Sequence, residues 1–196
     1  MIGVIDAKSG NLTSLEQTLR KSGLEVKRIK EPDFSGLDAL VLPGQGRFGF
    51  VMGQLEAHGF LEPIQNWIRS GRKFVGICVG MQVLFSRSEE DPEATGLGIF
   101  PEDVLRLDGP KHPLMGWIPV HWNRSEEKRS MTQLFRDGSA YFVNSFAVRQ
   151  SPYNLAQIDY GSGFVAAIGR ENLFAFQFHP EKSGTWGREL LLRCLS

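Results

Sequence analysis

Cys78 lies between two glycines where an apolar run changes into a helical pattern. The segment reads Gly76-Ile77-Cys78-Val79-Gly80 and continues as Met81-Gln82. A strand that turns sharply into a helix, with glycines two residues from the nucleophile on both sides, presents that side chain at the end of a sheet. The pattern therefore predicts a nucleophilic cysteine. The alternative is a buried structural cysteine on a tight turn.

The residues around Cys78 also predict why its sulfur would react. In a strained turn, side chains at positions 76 and 80 would collide with neighbouring backbone, and glycine avoids the clash. A helix beginning at about Val79 points its N-terminus at the sulfur, which favours a thiolate and offers N–H groups to an oxyanion. The nucleophilic sulfur and the site that binds the oxyanion would then lie at the same place.

A second set of reactive residues follows the last apolar strand, Leu173–Phe178. His179 comes directly after it, and Glu181 lies beyond Pro180, which fixes the local turn. An imidazole near a thiol accepts its proton, and a carboxylate on the far ring nitrogen sets the tautomer. The spacing favours a Cys-His-Glu triad, with a histidine satisfied in the core or at the surface as the alternative. Surface or loop positions are expected for the other histidines: His58, His112 and His121.

The composition limits other classes of function. The 196 residues suit one domain spanning 1–196. Lys plus Arg and Asp plus Glu number 22 each, so the net charge is zero and nucleic acid is not an expected partner. No apolar stretch reaches the roughly 18 residues of a membrane span. A soluble protein without a membrane segment is therefore expected.

The cysteine and histidine counts bear on compartment and on metals. Two cysteines, Cys78 and Cys194, provide no disulfide framework and fit a reducing interior, so a cytoplasmic location is expected. Four scattered histidines add no ligand pair at useful spacing. Glycine clusters of the phosphate-binding kind are also missing from the sequence. Neither a metal nor another cofactor is predicted.

The N-terminal half alternates strand and helix patterns. Apolar runs predict strands at Ile2–Ile5, Val26–Ile29 and Ala39–Leu42, followed by the strand that ends at Cys78. Helical spacing of apolar residues separates them, so a parallel sheet with helices on both faces is expected. Sites in such sheets gather beyond the carboxyl ends of the strands, where Asp6, Gly44 and Cys78 fall.

Beyond Gly96 the pattern changes to shorter extended pieces broken by glycine and proline. These pieces are expected to extend the same sheet with antiparallel strands: 98–100, 104–107, 118–122 and 140–148. The charged run Ser125–Arg129 is interpreted as a solvated loop and Gln150–Asn154 as a connection. A last helix is predicted from about Thr185 to Leu195.

Three motifs, in this order, resemble the class I, triad-type glutamine amidotransferases: Pro43-Gly44-Gln45-Gly46, the turn around Cys78, and Phe178-His179-Pro180-Glu181. Finer features resemble the family of glutaminase subunits of imidazole glycerol phosphate synthase, from histidine biosynthesis: Gly10-Asn11-Leu12, Phe48-Gly49, Ser88-Glu89-Glu90, Met115-Gly116-Trp117 and Glu181-Lys182-Ser183. The resemblance implies a flavodoxin-like α/β fold, with a mostly parallel central sheet flanked by helices and an antiparallel extension.

The resemblance also implies roles for individual residues. Cys78 would attack the side-chain amide of L-glutamine, His179 would carry the proton to the leaving ammonia, and Glu181 would hold the imidazole. The oxyanion would be met by backbone N–H groups of Val79 and Gln45, after the glycine turn reorients. Positions that match substrate-binding residues of the family are Gly46, Gln82, Glu90, Ser145 and Phe146.

The same resemblance implies a partner that uses the ammonia, a (β/α)8 barrel cyclase that forms imidazole glycerol phosphate. Positions near that interface are Asn11, Trp117 and Lys182. The chain departs from the family where Gln45 replaces a valine of the glycine turn and where Asn144 occupies a place often held by histidine. These departures lie outside the expected triad. They are expected to affect packing and the energy of reorienting the glycine turn.

Three rival functions stand beside this interpretation. The first is the glutaminase subunit of pyridoxal phosphate synthase or another small amidotransferase, against which Met115-Gly116-Trp117 and Glu181-Lys182-Ser183 argue. The second is a catalytically silent homologue, which the intact Cys78, His179 and Glu181 disfavour. The third is an unrelated cysteine hydrolase of peptides or esters, which release of ammonia from glutamine would distinguish.

Overall fold

A computed structural model describes residues 1–8, 12–133 and 135–195. Asn11, one of the expected interface residues, lies outside the described residues. Within these ranges, none of the helices combines the length and the apolar character needed to cross a membrane.

The strands form one large sheet and one small sheet. In chain order they are β1 (Ile2–Ile5), β2 (Val26–Ile29), β3 (Ala39–Gly44), β4 (Lys73–Cys78), β5 (Arg87–Ser88), β6 (Asp103–Arg106), β7 (Leu114–Trp122), β8 (Gly138–Asn144), β9 (Phe146–Ala147), β10 (Asn154–Ile158), β11 (Phe164–Arg170) and β12 (Leu173–Phe176). The large sheet has the order β2-β1-β3-β4-β12-β11-β10-β7-β8, and the small sheet has the order β5-β6-β9.

The helices cover the large sheet and shape its carboxyl edge. They are α1 (Leu12–Lys21), α2 (Phe48–Ala57), α3 (Leu61–Arg69), α4 (Val79–Gln82), α5 (Glu126–Thr132) and α6 (Gly184–Leu195), with a 3₁₀ turn at Pro180–Lys182. Helix α1 buries Leu12, Leu15 and Leu19. This spacing places all three on one face of the helix, as the sequence pattern predicted.

The two halves of the large sheet differ in strand direction. From β2 to β12 the neighbouring strands are parallel, and from β12 to β8 they are antiparallel. All residues of β1 are buried, as expected for a parallel strand covered on both faces, whereas β7 carries exposed residues on one face. The expected mostly parallel sheet with an antiparallel extension is confirmed.

Strand β3 runs two residues further than the apolar pattern indicated. Pro43 pairs with Ile77, and Gly44 pairs with Cys78. The proline is tolerated because it lies at the end of the strand. As a result, the glycine turn begins directly beside the cysteine.

Several local predictions were wrong. Residues 126–132 form helix α5 rather than a loop, with Glu126 and Glu127 in the first turn, where carboxylates favour helix formation. Residues 98–100 are not a strand, because the N–H groups of Ile99 and Phe100 both donate to the Leu84 carbonyl. The hairpin of β10 and β11 was not predicted.

Candidate active site

Cys78 is the last residue of β4 and adopts a backbone conformation that L-residues rarely take. Its φ is 55° and its ψ is −113°. A Cβ on Gly76 would lie 2.7 Å from the Gly80 carbonyl oxygen, and one on Gly80 would overlap the Leu42 carbonyl oxygen. Both glycines are thus required by close backbone packing, for the reason that the sequence indicated. The turn between β4 and α4 is strained and held from both sides.

Helix α4 starts at Val79, immediately after the cysteine, but contains a single turn. The predicted helix N-terminus at Cys78 is therefore present, whereas a long helix dipole is not. The N–H of Val79 has no acceptor within the helix because it belongs to the first turn. The positive potential beside the sulfur therefore comes from the free N–H groups of this turn and not from a long helix dipole.

His179 and Glu181 form a buried pair. Nδ1 of His179 lies 2.9 Å from Oε1 of Glu181, and the two side chains are 2% and 8% exposed. Since the carboxylate accepts, Nδ1 donates, and Nε2 is left for a second group. Among the described residues, Nε2 has no hydrogen-bond partner of ordinary geometry. The carboxylate thus fixes the tautomer that a triad needs.

Burial and neighbouring groups have opposite effects on the pKa of His179. Burial lowers the pKa of the imidazole, but Cys78 and Glu181 outweigh burial and raise the pKa to about 9. Cys78 and His179 line the same cavity, and no hydrogen bond joins the sulfur to Nε2 of the ring. At neutral pH the imidazole therefore carries a proton that it can give to a leaving group.

The backbone around His179 is anchored by two residues that sequence reasoning missed. Ser183 Oγ donates to the His179 carbonyl at 2.6 Å and accepts from the Tyr141 N–H at 3.0 Å. The N–H of His179 donates to the Tyr141 carbonyl at 3.0 Å. These contacts join the 3₁₀ turn to β8 and fix the direction of the imidazole.

A cavity of about 460 Å³ opens above Cys78. Its walls contain Pro113, Tyr141, Val143 and Asn144, none of which was assigned to the site from the sequence. They also contain ten residues that the sequence did assign: Gln45, Gly46, Cys78, Val79, Gln82, Glu90, Ser145, Phe146, His179 and Lys182. Glu181 lies behind His179, in a smaller cavity that Gly44 also lines. The predicted site residues of the described chain thus meet in one region, apart from Trp117.

Gln177 connects the cavity wall to the sulfur and was also missed. Its Oε1 accepts a hydrogen bond from Gln82 Nε2 at 3.0 Å, and its Nε2 lies 3.8 Å from Cys78 Sγ. The residue is completely buried, so these contacts satisfy an otherwise costly polar group. A single glutamine within the apolar run 173–178 was the signal in the sequence.

Glu90 and Asp91 hold the start of α2. Glu90 Oε2 accepts from the Phe48 N–H at 2.9 Å, and Asp91 Oδ2 accepts from the Gly49 N–H at 2.9 Å. The Arg47 guanidinium, hydrogen-bonded to Asp91, lowers the pKa of that carboxyl group. These contacts fix the residues that follow Gly46, whose φ is +95°.

Comparisons with known proteins agree with this geometry. The family model for glutamine amidotransferase class-I matches residues 3–195. The chain belongs to this family. A crystal structure of a glutamine amidotransferase superposes with a TM-score of 0.79 at 20% identity, covering 99% of this chain and 96% of that one. At this identity the likeness shows the amidotransferase fold alone.

Relatives of this amidotransferase are more similar in sequence. The imidazole glycerol phosphate synthase subunit HisH of Desulfitobacterium hafniense strain DCB-2 is 40% identical over 195 residues, covering 97% of this chain and 92% of the relative. The imidazole glycerol phosphate synthase hisHF of Emericella nidulans is 38% identical over 203 residues, which is 97% of this chain and 37% of the relative. The fungal protein therefore continues well beyond the region that this chain matches.

The amidotransferase exposes apolar side chains next to its cavity. Trp117 and Met115 on β7 are 57% and 62% exposed. Trp117 pairs with Tyr141 of β8, whose side chain meets the indole edge to face with ring centroids 6.2 Å apart. Tyr141 and Lys182 both line the cavity, so the exposed face begins at its mouth. Lys182 forms no ion pair with the described part of the chain.

Proposed function

We propose that this chain is the glutaminase subunit of an imidazole glycerol phosphate synthase and hydrolyses L-glutamine to glutamate and ammonia. The observation that carries the proposal is the meeting of strained Cys78 and His179 at one cavity, with Glu181 hydrogen-bonded to the imidazole from behind. The similarity to HisH relatives along nearly the whole chain narrows the family to this subunit. We further propose that residues 1–196 form one domain and act in the cytoplasm, where the free thiols of Cys78 and Cys194 persist.

The first chemical step forms a bond between sulfur and carbon. Cys78 Sγ attacks the carbon of the glutamine carboxamide, and the thiol proton resides on His179 Nε2. As the tetrahedral intermediate collapses, the carbon–nitrogen bond breaks and the nitrogen takes the proton from Nε2, leaving as ammonia. Glu181 stabilises the imidazolium through Nδ1. The product is a glutamyl thioester on Cys78.

The second step consumes one water. His179 Nε2 removes a proton from the water, whose oxygen attacks the thioester carbon. The carbon–sulfur bond breaks, and the proton returns to the sulfur. Glutamate leaves and the free thiol is restored, so the net reaction is glutamine plus water giving glutamate plus ammonia.

Oxyanion stabilisation is assigned to backbone N–H groups of Val79 and Gln45. Val79 supports this role because it starts α4 beside the sulfur, and Gln45 because it follows Gly44, which pairs with Cys78. Loss of one such donor typically lowers the rate on the order of 100-fold to 1,000-fold. The Gln45 N–H belongs to the peptide between Gly44 and Gln45, so rotation about the bonds that flank this peptide would reorient it.

Substrate recognition is assigned to the opposite wall of the cavity. The Glu90 carboxylate is suited to the α-ammonium group of glutamine, while Gly46, Gln82, Ser145 and Phe146 enclose the rest of the molecule. Because Glu90 also accepts from the Phe48 N–H, an ammonium bound there would act on the start of α2. Substrate binding and the glycine turn are thereby connected.

A barrel cyclase subunit is the proposed recipient of the ammonia. Free ammonia protonates and diffuses away in water, so a closed path to an acceptor is needed. The exposed Trp117 and the unpaired Lys182 beside the cavity support docking at this face, and Asn11 is assigned to the same interface. The longer fungal relative, named hisHF, supports a second unit acting with this one.

The test is an ammonia-release assay with free glutamine. We expect slow release by the isolated chain, faster release on adding the cyclase with its ligand, and none from Cys78→Ala. Equal rates with and without the cyclase would contradict the coupling. Unchanged release by Cys78→Ala would contradict the chemistry.

A further inference from the structure

Gln177 lies completely buried beside the sulfur of Cys78. The residue follows β12, and its backbone N–H donates to the Ala166 carbonyl at 2.9 Å, which fixes the point from which its side chain extends. Because the amide is shielded from water, both of its polar ends need partners within the protein. The triad chemistry described above assigns no role to this residue.

The orientation of the Gln177 amide is dictated by its neighbours. The Phe146 carbonyl only accepts, so the end of the Gln82 side chain that faces it at 2.9 Å has to be the nitrogen, Nε2. The same nitrogen lies 3.0 Å from one end of the Gln177 amide, which therefore has to be the acceptor, Oε1. The other end, Nε2 of Gln177, is left to face Cys78 Sγ at 3.8 Å. This assignment follows from a backbone carbonyl and is not arbitrary.

The sulfur is the acceptor that Gln177 Nε2 reaches within the described part of the chain. A thiol sulfur accepts weakly, whereas a negatively charged acceptor forms a shorter and stronger hydrogen bond. The contact is therefore expected to tighten when Cys78 loses its proton. No hydrogen bond joins His179 Nε2 to the sulfur, so the amide of Gln177 is the side-chain donor that contacts it.

We propose that Gln177 Nε2 donates a hydrogen bond to the Cys78 thiolate and thereby holds the nucleophile in its charged, reactive form. Gln177 lines neither cavity around Cys78, so it is a positioning residue that acts through the sulfur and not on the substrate. This inference rests on the proposed function, because it takes Cys78 as the nucleophile. The charge state of the sulfur can be measured without glutamine, which separates the two claims.

Replacing Gln177 alone leaves the other groups around the sulfur in place. Strand β3, helix α4 and strand β12 contribute no titratable side chain, and β4 carries Lys73 at the end remote from Cys78. The titratable groups that face the sulfur follow β12 or line the cavity: His179 with Glu181 behind it, Glu90, Tyr141 and Lys182. A change in the titration of Cys78 in a Gln177 variant is therefore assigned to the lost amide.

The test is the pH dependence of Cys78 alkylation by iodoacetamide, followed by peptide mapping. The thiolate is the form that reacts. Gln177→Met removes the amide and nearly keeps the volume of the side chain. We expect the midpoint of the profile to rise by about 0.5 to 1 pH unit in this variant, because the thiolate loses a charge-assisted donor. Above both midpoints the two proteins should react at similar rates, since the sulfur stays in place.

Gln65→Met is the matched control. Gln65 lies on α3, outside the cavity that Cys78 lines, and its Nε2 donates to the Leu97 carbonyl at 2.8 Å. This variant therefore also removes an amide hydrogen bond, but at a distance from the sulfur. Its alkylation profile should coincide with that of wild type.

A second measurement needs no replacement of Gln177. In wild type, the NMR signals of the Gln177 side-chain amide should shift with pH at the same midpoint as the alkylation rate, because the acceptor of this amide gains a charge there. This measurement decides the question if circular dichroism shows that Gln177→Met is unfolded. An amide signal that does not respond across that midpoint would overturn the inference.

Two alkylation results would also overturn it. One is an unchanged midpoint in Gln177→Met. The other is slower alkylation at every pH with an unchanged midpoint, which indicates a displaced sulfur and a structural role. Absence of ammonia release from glutamine by wild type with the cyclase would instead overturn the proposed function, whatever the alkylation midpoints are.

Discussion

At Cys78, the backbone strain and the direction of the side chain have one cause. The positive φ of 55° turns the chain from β4 into α4 within one residue, so the sulfur faces the cavity rather than the sheet. The same tight turn brings the N–H of Val79 beside it. The other free thiol, Cys194, is buried in α6, where burial raises its pKa. The two cysteines therefore have different surroundings, since Cys78 lines the cavity and Cys194 is enclosed in the core.

The charge state of His179 yields the first prediction. Its pKa, about 9 in wild type, should fall by about 1 to 3 pH units in Glu181→Gln, because the amide no longer provides a negative charge to the imidazolium. An NMR titration of the histidine ring carbons measures this directly. Protonated His179 should therefore predominate at pH 7 in wild type and lose protons at a lower pH in the variant.

The other histidines are internal controls for that titration. His58, His112 and His121 line neither cavity next to Cys78, so Glu181→Gln should leave the positions of their ring signals unchanged. An unaltered His179 titration in Glu181→Gln would show that the carboxylate does not stabilise the imidazolium.

Residue type and spacing were sufficient to select Cys78, His179 and Glu181 as a candidate triad, and the structure brings these side chains together, while their catalytic roles stay a prediction. Cys78 ends a strand and has a glycine two residues away on each side, while His179 and Glu181 flank Pro180 after the last apolar run, which makes all three visible in the sequence. Gln177 and Ser183 were missed as site residues because their roles depend on contacts with distant residues. Gln82 and Gln177, for example, are 95 positions apart and meet only after β4 and β12 pair.

At the scale of elements, the site depends on how closely α4 packs against β3. The backbone at Gly80 approaches the Leu42 carbonyl, and a Cβ on Gly44 would lie 2.6 Å from the Gly80 nitrogen. The glycines at 44, 76 and 80 therefore allow three backbone segments to meet beneath the sulfur. Side chains there would separate the glycine turn from the nucleophile.

Gly80→Ala should consequently lower both stability and activity. The added methyl group collides with backbone, which cannot move aside as a side chain can, so we expect a loss of about 1–3 kcal/mol in the free energy of unfolding. Urea unfolding measures the loss, and ammonia release should fall with it.

Gly53→Ala is the matched control for Gly80→Ala. Gly53 lies in α2, and a Cβ there would meet nothing within 4 Å. Alanine should stabilise the helix by up to about 1 kcal/mol. Equal stability of Gly80→Ala and wild type would contradict the packing account.

The elements were predicted well where apolar runs are continuous and poorly where they are not. Strands β1, β3 and β4 are buried on both faces, so their sequences are unbroken and apolar. The sequence of helix α5 favours a loop because it is almost entirely polar and has few apolar residues to mark a face. The β10–β11 hairpin depends on pairing with β12 and β7, which no local pattern reveals.

At the scale of the whole molecule, the two edges of the large sheet differ in the residues that lie beside them. Strand β2 forms one edge, and β8, with β7 next to it, forms the other. The exposed Trp117 and Met115 lie on β7, close to the mouth of the cavity. The proposed cyclase interface therefore lies on the antiparallel extension, whereas Cys78, the proposed nucleophile, lies in the parallel half.

Lys182→Ala should weaken the coupling to the cyclase and spare the isolated subunit. Lys182 borders the cavity but forms no ion pair within the described chain, so we expect the ligand-dependent activation of ammonia release to fall about 10-fold on loss of an interchain ion pair. Release by the subunit alone should change little. The measurement is the ratio of rates with and without the liganded cyclase.

Lys27→Ala is the control that tests whether the effect on activation depends on where the lysine lies. Lys27 is an exposed lysine on β2, at the edge of the sheet remote from β7 and β8. Its removal should leave the activation ratio intact. A similar loss in both variants would assign the effect to overall charge instead of to the interface.

The proposed hydrolysis depends most directly on a covalent bond between glutamine and the sulfur atom of Cys78. Treatment with a chloroketone analogue of glutamine, followed by intact-protein mass spectrometry and peptide mapping, should show a single adduct on Cys78. Excess glutamine should prevent it, Cys78→Ala should show none, and buried Cys194 should stay unmodified. An adduct at Cys194, or no adduct on a chain that releases ammonia, would contradict the account.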